Sequence, residues 1–235
     1  MGSVDLPIPS EFILLEDVSA ADWVLERLEP WGRDGVRVAS FLPDGYEAYV
    51  RLPNRWPSPD EGFLDEGSLP RERMATLIKV LSKSATTEQT TLLYWTGWGD
   101  WNGGSPLVAM RGRRRAVRRA RRRMGPEARE RSEQHGREMR AIPQVRAYAR
   151  EYFAFRTDLS AIPRFEIAGH YRSPSLWWGD DRAWCVASEV DSRYTFIGGS
   201  RPFVEGILAE GLLEASEATR NDLIGPTDDG GSSSH

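Results

Sequence analysis

The stretch Arg182-Ala-Trp-Cys-Val-Ala-Ser-Glu-Val190 decides the reading of this chain. Positions 183 to 187 are apolar without a break, the pattern of a strand inside a sheet rather than at its edge. The segment is expected at the centre of a sheet. Tyr194-Thr-Phe-Ile197 continues that sheet, and Gly198-Gly199-Ser200 then turns the chain into a helix from about 201 to about 210. Proline at 202 suits such a start, because its missing N–H would be unpaired in a first turn anyway.

Working outward, Glu151-Tyr-Phe-Ala-Phe-Arg-Thr157 and Thr90-Thr-Leu-Leu-Tyr-Trp-Thr96 read as further strands, with residues 158–180 a mostly irregular connection. Val36-Arg-Val-Ala-Ser-Phe41 and Tyr46-Glu-Ala-Tyr-Val-Arg-Leu52 read as a hairpin. Pro43-Asp44-Gly45 supplies its turn, since proline presets φ and glycine allows φ > 0. Met74, Leu77, Ile78 and Leu81 recur at the spacing of one helix face, so a helix is expected from Ser68 and Pro70 to about Lys83. Ser19 and Pro30 bracket a shorter helix with Trp23, Val24 and Leu28 on its buried stripe. Residues 53–67 read as loop, residues 1–14 as a flexible leader, and 225–235 as a disordered tail.

The result is one α+β domain in two halves, 15–105 and 148–224. Its sheet is expected to be mainly antiparallel with five or six strands, with two or three helices on one face. Between the halves lies an arginine-rich insertion, helical or disordered, at 106–147. Nine arginines fall in residues 111–123, while Val117, Ala120 and Met124 form too thin an apolar stripe to bury against a core. A polar helix at 127–140 is expected to follow, supported by Glu127–Arg131 and Glu133–Arg137 pairs. Deleting 111–141 is expected to leave folding intact.

Composition agrees with a folded chain, at 40% hydrophobic and 28% charged residues. Residues 111–150 carry a net +11 and the remainder −15, which an overall −4 conceals. A single cysteine, Cys185, forbids an intramolecular disulfide and suits a reducing compartment. No signal peptide is recognisable, and no apolar run approaches the ~20 residues of a membrane span. The expected location is cytoplasmic, with no membrane partner.

No signature assigns a reaction. Serine-nucleophile and Walker motifs are absent, and a Cys185–His170 dyad sets its thiol in the most apolar strand, where thiols are inert. One cysteine and one well-placed histidine cannot close a zinc site, so no metal and no cofactor is expected. Four features remain. Trp95, Trp98 and Trp101, on a glycine-rich turn, either pack a small sheet or present a ligand surface. Trp177, Trp178, Asp180, Asp181, Arg182 and Glu189, with Asp191 nearby, form a second candidate surface or an acid/base site. Gly198, Gly199, Ser200 and Arg201 form either an anion site at a helix N-terminus or a tight turn capped by Ser200. Arg113, Arg114, Arg115, Arg118, Arg119, Arg121, Arg122 and Arg123 offer sequence-independent phosphate contacts to nucleic acid, or a solvated insertion.

Several ordered blocks carry a resemblance: Trp23-Val-Leu-Glu-Arg-Leu-Glu-Pro-Trp-Gly32, Phe41-Leu-Pro-Asp-Gly-Tyr-Glu-Ala-Tyr49, and Pro174-Ser-Leu-Trp-Trp-Gly-Asp-Asp-Arg-Ala-Trp-Cys-Val-Ala-Ser-Glu-Val-Asp191 with the run from Tyr194 to Ser200. Over most of 18–104 and 148–210 the chain resembles a group of uncharacterised actinobacterial proteins with no assigned function. The resemblance implies a bacterial cytoplasmic protein whose common core lacks the arginine-rich addition, and it transfers no activity. The functional expectation is a non-enzymatic binding module that neutralises or regulates a protein partner. Nucleic-acid association through the arginine run, and an enzyme with a carboxylate/arginine site near 177–191, are the alternatives.

Overall fold

The computed structural model describes residues 6, 8–32, 35–54, 67–84, 86–102, 125–147 and 150–224. The arginine run at 111–123, most of the loop at 53–67 and the tail from 225 lie outside them. The described part is built on a mainly antiparallel sheet of nine strands, more than the five or six expected. Eight strands lie in the order β1 (Ile13–Leu14), β6 (Arg150–Asp158), β4 (Gln89–Trp95), β9 (Leu176–Gly179), β10 (Trp184–Ser188), β11 (Tyr194–Gly199), β3 (Ala48–Pro53) and β12 (Ser216–Ala218). The ninth, β5 (Val145–Ala147), pairs with β6 beside this path. Two small ladders stand apart, β2 (Val36–Arg37) with β13 (Leu223–Ile224), and β7 (Glu166–Ile167) with β8 (His170–Tyr171).

β10 is the central strand its apolar run demanded, hydrogen-bonded on both sides and buried at every position. Because successive side chains on a strand point to opposite faces, the sheet divides its apolar residues into two cores. Leu92, Tyr94, Phe155, Trp177, Val186 and Ile197 face one side, with helices α2 (Arg71–Ser84) and α4 (Arg201–Leu208). The spacing-derived stripe is confirmed there: Met74, Leu77, Ile78 and Leu81 are all buried. Leu93, Ala154, Trp178, Cys185 and Phe196 face the other side, against Val24 of the short helix α1 (Asp22–Leu25) and Val38 and Leu42. Helical cover on both faces corrects the expectation of one, since a sheet buried on both sides needs two layers above it.

Several local expectations fail for identifiable reasons. The hairpin of 36–41 with 46–52 does not form, although Gly45 takes the expected positive φ of 101°. β3 has both edges filled, by β11 and by β12, which leaves no place for its sequence neighbour. The chain at 36–39 pairs instead with the C-terminal segment, through β2–β13 and through Val38 N–H and Ala39 N–H to the Asp222 and Arg220 carbonyls. The helix expected from 19 to 29 is a 3-10 turn at Ser19–Ala21 followed by four residues of α1. The Asp17 carboxylate accepts from Ser19 N–H at 2.9 Å just before the turn, and past Leu25 the Arg27 and Leu28 N–H groups bond three residues back before Glu29 N–H leaves for Ala39 O.

Residues 8–14 are no flexible leader. Phe12 is buried edge-on against Phe165 at 4.8 Å, and β1 covers the edge of β6. The connection at 158–180, expected to be irregular, contains β7, β8 and the central strand β9, four residues too short to show a period.

The polar helix forms as α3 (Pro126–Ala141), and the end of the 106–147 segment is part of the domain. Met139, Ile142 and Val145 are buried, and His135 Nε2 lies 2.7 Å from Trp101 O. Met139→Ala is therefore expected to lower unfolding free energy by about 2 kcal/mol, the scale of a nearly buried methionine. Urea denaturation checks this; a loss below about 0.5 kcal/mol would show α3 to be detachable.

Candidate functional site

The residues expected to act together near 177–191 are split between the two ends of β10. Asp180, Asp181 and Arg182 occupy the turn before it, and Glu189 follows it, a separation on the order of 20 Å along an extended strand. Asp180 pairs with Arg156. Asp181 accepts from Thr86 Oγ1 at 2.6 Å, Thr86 N–H at 3.1 Å and Ala183 N–H at 3.0 Å. Partial burial pushes the Asp181 carboxyl up, but those hydrogen bonds outweigh it and hold the group below its ordinary range. Arg182 turns the chain at φ 55° and lies 5.0 Å from the Trp23 ring. This end is a structural turn.

A carboxylate depressed in the folded state stabilises above its unfolded value, and loses that contribution as pH falls through the folded one. Asp181→Ala is expected to cost about 1 kcal/mol at pH 7, the scale of a lost cap. The gap between wild type and variant should close as the pH falls through the depressed folded-state value of Asp181. A gap that widens in acid would refute the assignment.

The other end gathers a site. Arg150 Nη2 reaches Glu189 Oε1 and Asp191 Oδ2, each at 2.5 Å, and its Nε donates to Glu189 Oε1 at 3.2 Å. Burial works against the Arg150 charge, yet the two carboxylates more than offset it and raise its pKa. The same guanidinium lies 5.9 Å from the Trp31 ring and 5.3 Å from the Trp95 ring. Trp31 is 38% exposed and Trp95 half-buried. The turn that carries both carboxylates is fixed from below. Ser192 N–H donates to Glu189 O, and Ser188, Thr195 and Asn54 form a buried chain of 2.6 and 2.7 Å hydrogen bonds.

Next to Glu189 opens a narrow cleft walled by Trp31, Phe41, Tyr152 and Leu176. Its interior leaves about 10 Å³ for a water, so it is a slot and no substrate chamber. Ser40 lines it, 2% exposed, with a hydroxyl that has no hydrogen-bond partner among the described residues. Burial pushes the Tyr152 phenol far above its usual pKa.

The remaining candidates fall elsewhere. Trp101, Trp177 and Trp178 are buried. They are core residues and leave the candidate surface. Trp98 is half-buried, 4.5 Å from the Arg172 guanidinium. Gly198 and Gly199 do not form a turn; they are β11 residues, and a Cβ at each would lie 2.5 Å from the Tyr46 ring or 2.2 Å from the Phe203 ring. Ser200 stands at the N-cap without a side-chain bond, and Glu47 accepts from Arg201 N–H at 2.9 Å. That carboxylate already sits where an anion would bind. Cys185 is fully buried, with its thiol pushed up by burial, and His170 is exposed. The eight candidate nucleic-acid arginines lie outside the described residues.

Among the described residues no cluster of three His, Cys, Asp or Glu could hold a metal ion, and no helix is long and apolar enough to cross a membrane. Comparison with protein-family models, with curated proteins and with solved structures finds no match.

Sequence reasoning picked out Glu189, Asp191 and Trp95 but missed Arg150, Trp31, Ser40 and Tyr152. Trp31 follows the proline that was read as a helix stop, and Arg150 falls at the start of a strand. The one signal that could have found Trp31 is exposure of a large ring outside any periodic element, which a sequence does not display.

Proposed function

We propose that the protein is a non-enzymatic bacterial binding module whose partner is another protein, engaged through the surface around Trp31, Trp95 and Arg150. The observation that carries this is the Arg150 guanidinium lying within 6 Å of two partly exposed tryptophan rings and tied down by two carboxylates. Tryptophan and arginine dominate the residues on which protein interfaces depend. Anchors already held in place lose little conformational freedom on binding, which favours affinity. Neutralising or regulating that partner is the role we assign to the module. An acid/base enzyme fits less well, because its carboxylates divide between opposite ends of β10 and share no chamber.

The test begins with a photo-crosslinking residue at position 29, which is exposed and two residues from Trp31. Irradiation in the bacterial host should yield one dominant protein adduct, absent with Trp31→Ala. With the captured protein purified, Trp31→Ala should weaken Kd by about 30-fold or more, as truncation of a central anchor does. Failure to form any protein adduct, or a Kd unchanged within about twofold, would sink the reading.

A further inference from the structure

We infer that the cleft beside Trp31 is the socket for a basic side chain, lysine or arginine, of the protein partner; this rests on the partner-binding reading above. Two polar groups at the cleft are left with capacity that the described residues do not use. Ser40 Oγ, nine-tenths and more buried, makes no hydrogen bond among the described residues. Both Arg150 bonds to Glu189 arrive at Oε1, so Oε2 receives none from the described residues. An ionised carboxylate only accepts, whereas a serine hydroxyl donates or accepts. Glu189 must therefore meet an N–H or O–H donor, while Ser40 is satisfied by a donor or an acceptor, so an occupant that serves both brings at least one donor.

Charge and shape narrow the choice. One guanidinium, Arg150, stands against two carboxylates, Glu189 and Asp191, which leaves the triad one negative charge. Trp31 and Phe41, with ring centroids 6.4 Å apart, wall the cleft, and aromatic faces attract cations. The water-sized interior admits an ammonium or the tip of a guanidinium and excludes a ring. An apolar anchor would cover Glu189 without supplying it a hydrogen bond, and an acidic anchor would meet Glu189 head-on.

The experiment uses the full chain with its tryptophan indoles labelled with nitrogen-15, and follows the Trp31 indole N–H by NMR. The probes are N-acetyl-lysine methylamide and N-acetyl-arginine methylamide, with the norleucine and glutamate counterparts as controls. Lysine or arginine should give a saturable shift in the millimolar range, the scale of a single anchoring contact. The controls should bind at least about tenfold more weakly, since they forfeit a charge-assisted hydrogen bond. Glu189→Gln and Ser40→Ala should each weaken the basic probe, by about tenfold and about threefold. If Glu189→Gln alters the thermal transition, Ser40→Ala decides, because removing an unpartnered hydroxyl leaves no broken bond behind.

An equal response to norleucine, or no saturable response to either basic probe, overturns the socket. When that happens while the Trp31-dependent protein adduct persists, the binding surface stands and this occupant falls. A saturable lysine response without any protein adduct removes the partner reading, and with it the assignment of the basic group to a protein.

Discussion

Trp177→Ala is expected to lower unfolding free energy by about 4 kcal/mol, the cost of emptying a fully buried tryptophan site. For a chain of this size that corresponds to a fall in Tm of roughly 8–16 °C. Trp177 lies in β9 with no exposed surface, edge-on to Trp184 at 5.2 Å. Its indole N–H has no hydrogen-bond partner among the described residues, so the loss comes from apolar area and packing. Trp31→Ala is the contrast: at 38% exposure it should cost no more than about 1 kcal/mol while abolishing partner capture. Urea titrations of both variants decide the matter. Similar costs for the two, or a larger one for Trp31, would reverse the assignment of Trp177 to core and Trp31 to surface.

Gly67→Ala is expected to cost about 3 kcal/mol or more, from two separate causes. Gly67 has φ 73°, where an L-residue is disfavoured by roughly 1–2 kcal/mol. A Cβ there would also lie 2.4 Å from Val190 Cα and 2.7 Å from Val190 O, a backbone that no rotamer change can move aside. Gly67 N–H donates to Ser192 O at 2.9 Å, so the displaced turn is the one that bears Glu189 and Asp191. The variant should therefore lose partner binding together with stability. Gly45→Ala is the control: its φ is 101° but nothing lies within 4 Å of the added carbon, so about 1 kcal/mol is expected. Equal costs at the two positions would show that crowding against Val190 is not the cause.

The two positions illustrate how far local sequence can be read. Gly45 follows Pro43-Asp44, and its positive φ was legible from that context. Gly67 sits in a run rich in Pro, Asp and Gly, and its requirement comes from Val190, more than a hundred residues away. Gly198 and Gly199 were misread as a turn for the same reason. Glycine permits a turn, but it equally permits the close approach of Tyr46 and Phe203 to a strand. The site shows the same division. Glu189 and Asp191 were legible as acidic residues flanking a strand, whereas Arg150, which pairs with both, is some forty residues away.

What the sequence determined by itself is what a short window encodes: the apolar run of β10, the period of α2, the strands β4, β6 and β11, and the polar helix α3. Pattern and propensity act over a few residues, so they survive without tertiary context. Tertiary structure alone decided which strands pair, because the edges of β3 could be claimed by any strand of suitable pattern, and β11 and β12 took both. It also decided which tryptophans are core and which are surface. The two kinds are alike in sequence, and layers on both faces of the sheet bury Trp177 and Trp178 while leaving Trp31 beside Arg150 at the rim.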